Sequence, residues 1–342
     1  MIETASVPQV PGQPSKSLSR RDFLRIIAGM GIAGFTGKLA LQNLNEAHSI
    51  SQTRLLMGTV VNLTLVMPDK GSAEVAGQAL TACLDCMAGL ERVLSRFDVH
   101  SQVSRLNQVG VLHSPHPALL AVLRQSERIS ELSEGAFDVT ILPLLKLYQE
   151  RLALTGGLPG DNEIESERRK VNFRRLHIEE AKIAFSAPGM GITLDGIAKG
   201  YIVDEGVGRL RDYDFTNVLV EAGGDLAAAG DNDRGHPWKI GIQDPRSREI
   251  RASACLELSD RAAATSGDYM QPFSADFSQH HILNPHTGRS SAALASATVL
   301  APRLALADAL ATALMVMDPA DGCDLANLLG CETYLIEKFT PL

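Results

Sequence analysis

The chain has 342 residues, of which 45% are apolar and 21% charged, with a formal net charge of −8. That length and apolar content exclude intrinsic disorder and allow one large or two ordinary globular domains. The acidic balance, with no Lys/Arg stripe to replace phosphate counterions, excludes a general nucleic-acid binder, and 5% aromatic content speaks against stacking modules for single strands or glycans.

In chain order, the first 47 residues read as an address. A polar, Pro/Ser-containing stretch leads into Ser19-Arg20-Arg21-Asp22-Phe23-Leu24-Arg25 and then a glycine-diluted apolar run, Ile26 to Thr36, broken at Lys38. The pattern resembles a twin-arginine export signal, whose apolar region is weaker than that of a Sec signal. The run is short for an ordinary membrane span. Cleavage would fall near Ala47, and removal or retention as an inner-membrane anchor both stay open. The expected organisation is a signal region over 1–47 and one unit over 48–342 that works in the periplasm or otherwise outside the cytoplasm.

Thr59–Val66 is β-branched and strand-like, entered through Met57-Gly58. Residues 72–95 carry Ala/Leu at helical spacing. Cys83 and Cys86 fall on this helix as a CxxC without a second pair at zinc-ribbon spacing, so two core-facing cysteines are expected rather than a redox or metal pair. The five cysteines are odd in number and scattered, which excludes a disulfide-stapled scaffold. A short helix opening on Ser101 follows, then a helix over 117–133 and a turn over Glu134–Asp138. Residues 162–170 read as a polar surface connection and a candidate seam between two subdomains. Residues 183–185 and 191–194 are strand-like, and 196–210 has helical spacing. Asn217–Ala222 is a buried strand running into Gly223-Gly224-Asp225, Trp238–Ile242 is another strand, and 304–317 is a strong Ala/Leu helix. Mixed elements without a βαβ rhythm predict an α+β fold.

Several segments carry groups suited to chemistry. Gly223-Gly224-Asp225 allows close backbone approach to a phosphate or ribose, although a tight turn with a self-bonded aspartate is the simpler reading. Asp195 to Gly200 turns from strand to helix and presents N–H groups and Lys199 toward an anion, without a GxGxxG or P-loop pattern. Asp308 and Thr312 stand four apart on one helix face, where a carboxylate and a hydroxyl are costly to bury unpartnered. A hard cation such as Mg²⁺ would satisfy both; so would a helix-dipole contact for Asp308 and back-bonding by Thr312, and the helix alone does not choose. His281 suits proton transfer near neutral pH, but nothing local separates that role from a structural one.

Together these segments resemble the ApbE family of flavin transferases, which move FMN from FAD onto a protein threonine. The resemblance runs from about Met57 to Met317. It rests on Met57-Gly58-Thr59, Ser95-Arg96-Phe97 with Ser101 to Asn107, Gly135-Ala136-Phe137-Asp138, Asp195 to Tyr201, Ala222 to Asp225, Thr265 to Tyr269, His281 to Gly288 and Ala307 to Ala313. It implies a mixed fold that binds FAD in a cleft between two subdomains. It implies Mg²⁺ on Asp308, Thr312 and the Gly196 carbonyl, and FAD contacts from Met57, Phe97, Ala136, Phe137, Asp138, Thr193, Lys199 and Leu283. His281 becomes the candidate for proton transfer, with Asp308 the catalytic metal ligand. The family usually has an acid at the position of Thr193 and a glycine at that of Asp195, and this chain departs from it there. The implied reaction is Mg²⁺-dependent transfer of FMN from FAD to a threonine of an acceptor protein, a membrane or periplasmic redox subunit, with AMP released. The alternatives are an Mg²⁺-dependent FAD pyrophosphatase and an exported flavin-binding protein without turnover.

Overall fold

Within the residues that this computed structural model describes, 49–67, 73–247 and 250–338, the chain opens on a hairpin of β1 (Ser49–Leu56) and β2 (Thr59–Val66). Val61, Leu63 and Leu65 are fully buried while Asn62 and Thr64 between them are not, so a two-residue period drives one face into the core. Met57 (φ 54°) and Gly58 (φ 69°) supply the pair of left-handed residues that a two-residue hairpin turn demands.

The elements that follow are α1 (Ala73–Leu94), α2 (Gln102–Val109), β3 (Val111–His113), α3 (Pro117–Leu132), α4 (Leu142–Thr155), α5 (Asp161–Arg168), β4 (Leu176–Ile178), β5 (Lys182–Phe185) and α6 (Ala198–Arg211). Then come β6 (Val218–Ala222), β7 (Asp225–Ala229), β8 (Trp238–Gln243), β9 (Ile250–Leu258), β10 (Arg261–Gly267), β11 (Leu294–Ala301), α7 (Leu304–Leu314), α8 (Pro319–Leu328) and β12 (Glu332–Glu337). Seven strands form one antiparallel sheet in the order β1-β2-β6-β7-β10-β11-β12, and β3-β5-β4 form a small second sheet. This is the α+β class expected, since neither sheet contains a parallel pair.

Each face of the large sheet meets a different partner. Val220, Ala222, Ala227, Ala229, Ala262, Ala264, Ala297, Val299 and Ala301 face the main core, against which α1, α6 and α7 pack. The intervening Leu226, Ala228, Ala263 and Leu300 face the β8–β9 hairpin through Ile242, Leu256 and Leu258. The core-side alanines of β10 and β11 and five alanines of α7 (Ala305, Ala307, Ala309, Ala311 and Ala313) all lie in this core, and α7 packs on both strands, so the helix lies close to the sheet with little side chain between.

The α6–α7 crossing is closer still. A Cβ on Gly200 would stand 2.5 Å from the Leu304 carbonyl oxygen, so only a glycine lets the helices meet there. Asp204 of α6 accepts from the Leu304 and Ala305 N–H groups at 2.9 and 3.0 Å, capping α7 from the neighbouring helix. A lone helix-dipole role for Asp308 is thereby displaced, because another carboxylate occupies the end of α7.

Several expectations need correction. Residues 162–170 are not a plain connection: α5 forms there because Glu163 reaches back to the Gly160 N–H at 3.0 Å in a capping box. Residues 191–194 are not a strand, because the Asn107 side-chain amide bonds both the N–H (2.7 Å) and the C=O (2.9 Å) of Ile192 in place of a strand partner. The last long helix stops at Leu314, short of Met317. The described residues group into one compact unit. Cys83 is buried in the core beside Met87 and burial pushes its thiol up to about 12, as a core-facing helix cysteine requires. The twin-arginine segment lies outside the described residues, among which no helix is long and apolar enough to cross a membrane.

Candidate active site

A cavity of about 660 Å³ opens where the helical side of the large sheet meets the 3₁₀ turn Val139–Ile141. The twelve residues that the resemblance assigns to a site all line it: Met57, Phe97, Ala136, Phe137, Asp138, Thr193, Gly196, Lys199, His281, Leu283, Asp308 and Thr312. Two hairpin ends close one side. Gly223 (φ 62°) and Gly224 (φ 98°) turn β6 into β7, and a Cβ on Gly223 would meet Thr59 Oγ1 at 2.5 Å, so this turn seats directly on the one at Met57-Gly58.

The polar wall is built on α7. Asp308 is 5% exposed, and its Oδ2 accepts from the Gly200 N–H at 3.2 Å. One turn on, Thr312 Oγ1 donates to the Asp308 carbonyl at 3.2 Å and lies 3.2 Å from Ser266 Oγ. A Cβ on Gly196 would stand 2.8 Å from Thr312 Oγ1, which brings the backbone of the turn leading into α6 against this hydroxyl. Thr312 therefore back-bonds within its helix and also faces the turn.

Charge is concentrated here. Burial, and then the neighbouring Asp225, push the Asp308 carboxyl up to about 7, while Lys199 pulls the other way. Lys199 is ion-paired to Asp225, whose nearly inaccessible carboxylate also accepts from the Thr265 N–H at 2.9 Å. Burial works against the Lys199 ammonium, but Asp225 and then Asp308 outweigh it and hold its pKa above the ordinary lysine value. The tight Gly-Gly turn is thus present, but its aspartate is not self-bonded; it anchors Lys199.

His281 enters from the segment between β10 and β11, with its N–H on the Gln271 carbonyl at 3.1 Å. Its Nδ1 is buried and without a hydrogen-bond partner. Burial, reinforced by His280, pushes its pKa down to about 4, so the ring is neutral at ordinary pH. The adjacent His280 is structural: its ring bonds the Ser291 carbonyl at 2.9 Å and the Ile282 N–H at 3.3 Å.

Asp138 lines the cavity, but its carboxylate is engaged elsewhere. Oδ1 accepts from the Thr140 N–H and hydroxyl (2.7 and 2.6 Å), and Oδ2 from the Phe173 N–H (2.9 Å), so it braces the wall formed with Ala136 and Phe137. Thr193 is buried, with its N–H on the Val139 carbonyl at 2.8 Å and its hydroxyl accepting from the Asp195 N–H at 3.2 Å. At the mouth Phe97 is 73% exposed, and Leu283 is buried. Asp225 and Asp195, which the sequence placed in candidate turns without a contact assigned to either, also line the cavity, as does Ser266. The signal for Asp225 was present in its Gly-Gly-Asp turn, but its lysine partner lies 26 positions earlier on another element.

The donors at the α7 end are a carboxylate, a hydroxyl and peptide backbone, all hard oxygens. That set fits Mg²⁺, which takes one or two carboxylates and completes its shell with waters and phosphate oxygens. No group of three or more His, Cys, Asp or Glu suited to a metal occurs among the described residues. A cation held here would complete its shell with waters or with oxygens of a bound substrate.

Comparison with known proteins gives the family. The ApbE family model matches residues 57–335. The chain is 32% identical over 290 residues to an FAD:protein FMN transferase of Vibrio cholerae, covering 82% of this chain and 85% of that protein. Among solved structures, the flavin transferase ApbE from Vibrio cholerae superposes with a TM-score of 0.74 at 30% identity, covering 86% of this chain and 95% of that one. The ApbE protein from Thermotoga maritima gives 0.74 at 28% identity, covering 85% and 94%. With a family model over most of its length and relatives of the same build, the chain belongs to the ApbE family.

Proposed function

We propose that this protein transfers FMN from FAD to a threonine hydroxyl of an acceptor protein, with Mg²⁺ bound and AMP released. The observation that carries the reading is the convergence of Asp308, Thr312 and Gly196, the Lys199–Asp225 pair and the neutral His281 on one cavity. Its volume of about 660 Å³ is within the range of cofactor-sized sites.

Asp308, Thr312 and the Gly196 backbone would hold Mg²⁺, which when bound neutralises charge on the pyrophosphate oxygens. Asp225 keeps Lys199 charged and aimed at the cavity, a fixed cation for a substrate carrying a pyrophosphate. His281, neutral and with an unbonded Nδ1, is equipped to take the proton of the attacking hydroxyl. The threonine oxygen bonds to the FMN-side phosphorus as the bridging P–O bond to AMP breaks. The wall at Ala136 to Asp138 and Leu283 supplies apolar surface for the nucleotide, and Phe97 stands at the entrance.

The twin-arginine pattern supports an extracytoplasmic location, and with it an acceptor that is a membrane or periplasmic redox subunit. Incubating the chain with FAD, Mg²⁺ and such a subunit tests the whole reading. A gain of FMN mass on the acceptor is expected; free FMN and AMP alone would make the protein a pyrophosphatase, and unchanged FAD would leave only a flavin-binding protein.

A further inference from the structure

The loop that carries Phe97 is tied to the metal-side wall by an ion pair. Arg96 Nε donates to Asp195 Oδ2 at 2.8 Å, and the Arg96 side chain is largely buried while that of Asp195 is half-exposed. The Arg96 guanidinium carbon lies 4.1 Å from the centre of the Phe97 ring, so the planar cation stacks on the aromatic face. Phe97 is otherwise exposed at the cavity mouth, its N–H turned onto Ser95 Oγ at 3.2 Å. Asp195 directly precedes Gly196, whose backbone meets Thr312. The mouth and the catalytic wall are therefore joined through Asp195, Arg96 and Phe97 in series.

We infer that Asp195 is a positioning residue: through Arg96 it holds the Phe97 ring across the cavity mouth and so sets how far water competes with the acceptor hydroxyl. The inference rests on the transferase reading. A charge-assisted hydrogen bond fixes the guanidinium plane, and the plane supports the ring. Without the carboxylate, the guanidinium turns toward solvent or the incoming anion, and the ring loses its backing. In both outcomes the attacking oxygen loses a proton and the bridging P–O bond to AMP breaks; only the source of that oxygen differs.

Two measurements test this. The first is the ratio of free FMN to acceptor-bound FMN formed from FAD. Asp195→Asn is expected to raise it about threefold, the scale on which losing a partly exposed ion pair shifts a two-state population. Arg96→Lys, which keeps both charges but removes the planar stack, is expected to raise it similarly, and this separates clasping from any direct effect of the Asp195 charge on the wall. The second uses metal-free protein bearing Phe97→Trp, read against the native Trp238 as background. Adding Asp195→Asn should increase acrylamide quenching and lower the anisotropy of the new tryptophan. An unchanged ratio in both variants, or unchanged quenching, overturns the inference. If the parent forms neither free nor transferred FMN, the transferase reading fails instead, and the quenching result still decides whether the clasp exists.

Discussion

Gly200 is the position at which packing and function are most directly coupled. In Gly200→Ala the new methyl would lie 2.5 Å from the Leu304 oxygen, 2.6 Å from its carbonyl carbon and 2.7 Å from the Ala305 nitrogen. All three are backbone atoms at a capped helix start, so no side chain can swing away. Ordinary contact begins near 3.5 Å, so α6 and α7 must part by about 1 Å. That separation strains the two Asp204 caps (2.9 and 3.0 Å) and the Gly200 N–H bond to Asp308. Overpacking costs about 1–3 kcal/mol and a weakened cap about 1 kcal/mol, for a total of about 3 kcal/mol. Urea unfolding should register this as a midpoint lowered by about 1 M at unchanged slope. Gly208→Ala on the same helix is the control: its Cβ would meet nothing within 4 Å, and the change should stabilise by about 0.5–1 kcal/mol. Equal midpoints for the two variants would refute the close-crossing account.

Asp308→Ala should abolish Mg²⁺-dependent turnover while leaving the circular dichroism spectrum unchanged; retained metal-dependent activity would remove Asp308 from the site. In chelator, Asp308 and His281 bias stability with opposite sign over one pH window. The raised carboxyl pKa, from an ordinary 3.8 to about 7, gives stability that is lost as pH climbs between those values. The depressed imidazole, from 6.5 to about 4, gives stability that is lost as pH falls between them. Asp308→Asn should therefore expose a rise of unfolding midpoint with pH, and His281→Asn a fall; slopes of equal sign would refute the assignments. Asp225→Asn keeps an acceptor for the Thr265 N–H but strips Lys199 of its counter-charge, and should cost about 2–3 kcal/mol of stability together with most of the FAD turnover. Arg20→Lys with Arg21→Lys should keep the protein in the cytoplasm on cell fractionation; unaltered export would dismiss the twin-arginine reading.

What the sequence disclosed divides along physical lines. Local signals sufficed for β2, whose alternation is strict, for α2, where Ser101 accepts from the Ser104 N–H as the capping rule expects, and for the two short turns at the cavity. The residues that motif order singled out line one cavity, since turns and helix faces carry their side chains with them. Tertiary exchange was not legible. Nothing near Ile192 says that Asn107 will complete its hydrogen bonds, nothing near Leu304 says that Asp204 will cap it, and nothing near Lys199 says that its partner is Asp225. Asp138 shows the converse: it lies in the expected wall, yet its oxygens serve the fold.

The division of the large sheet into two faces also bears on motion. The β8–β9 hairpin is held by its own small cluster, Ile242, Leu256 and Leu258 against Leu226, Ala228, Ala263 and Leu300, which among the described residues shares no buried member with the core beneath the cavity. Amides of that hairpin should exchange with solvent through a local opening well below the free energy of global unfolding, while those of α6 and α7 exchange only with the whole. The far face of the sheet can thus open and reclose while the helices that carry Lys199, Asp308 and Thr312 keep their spacing.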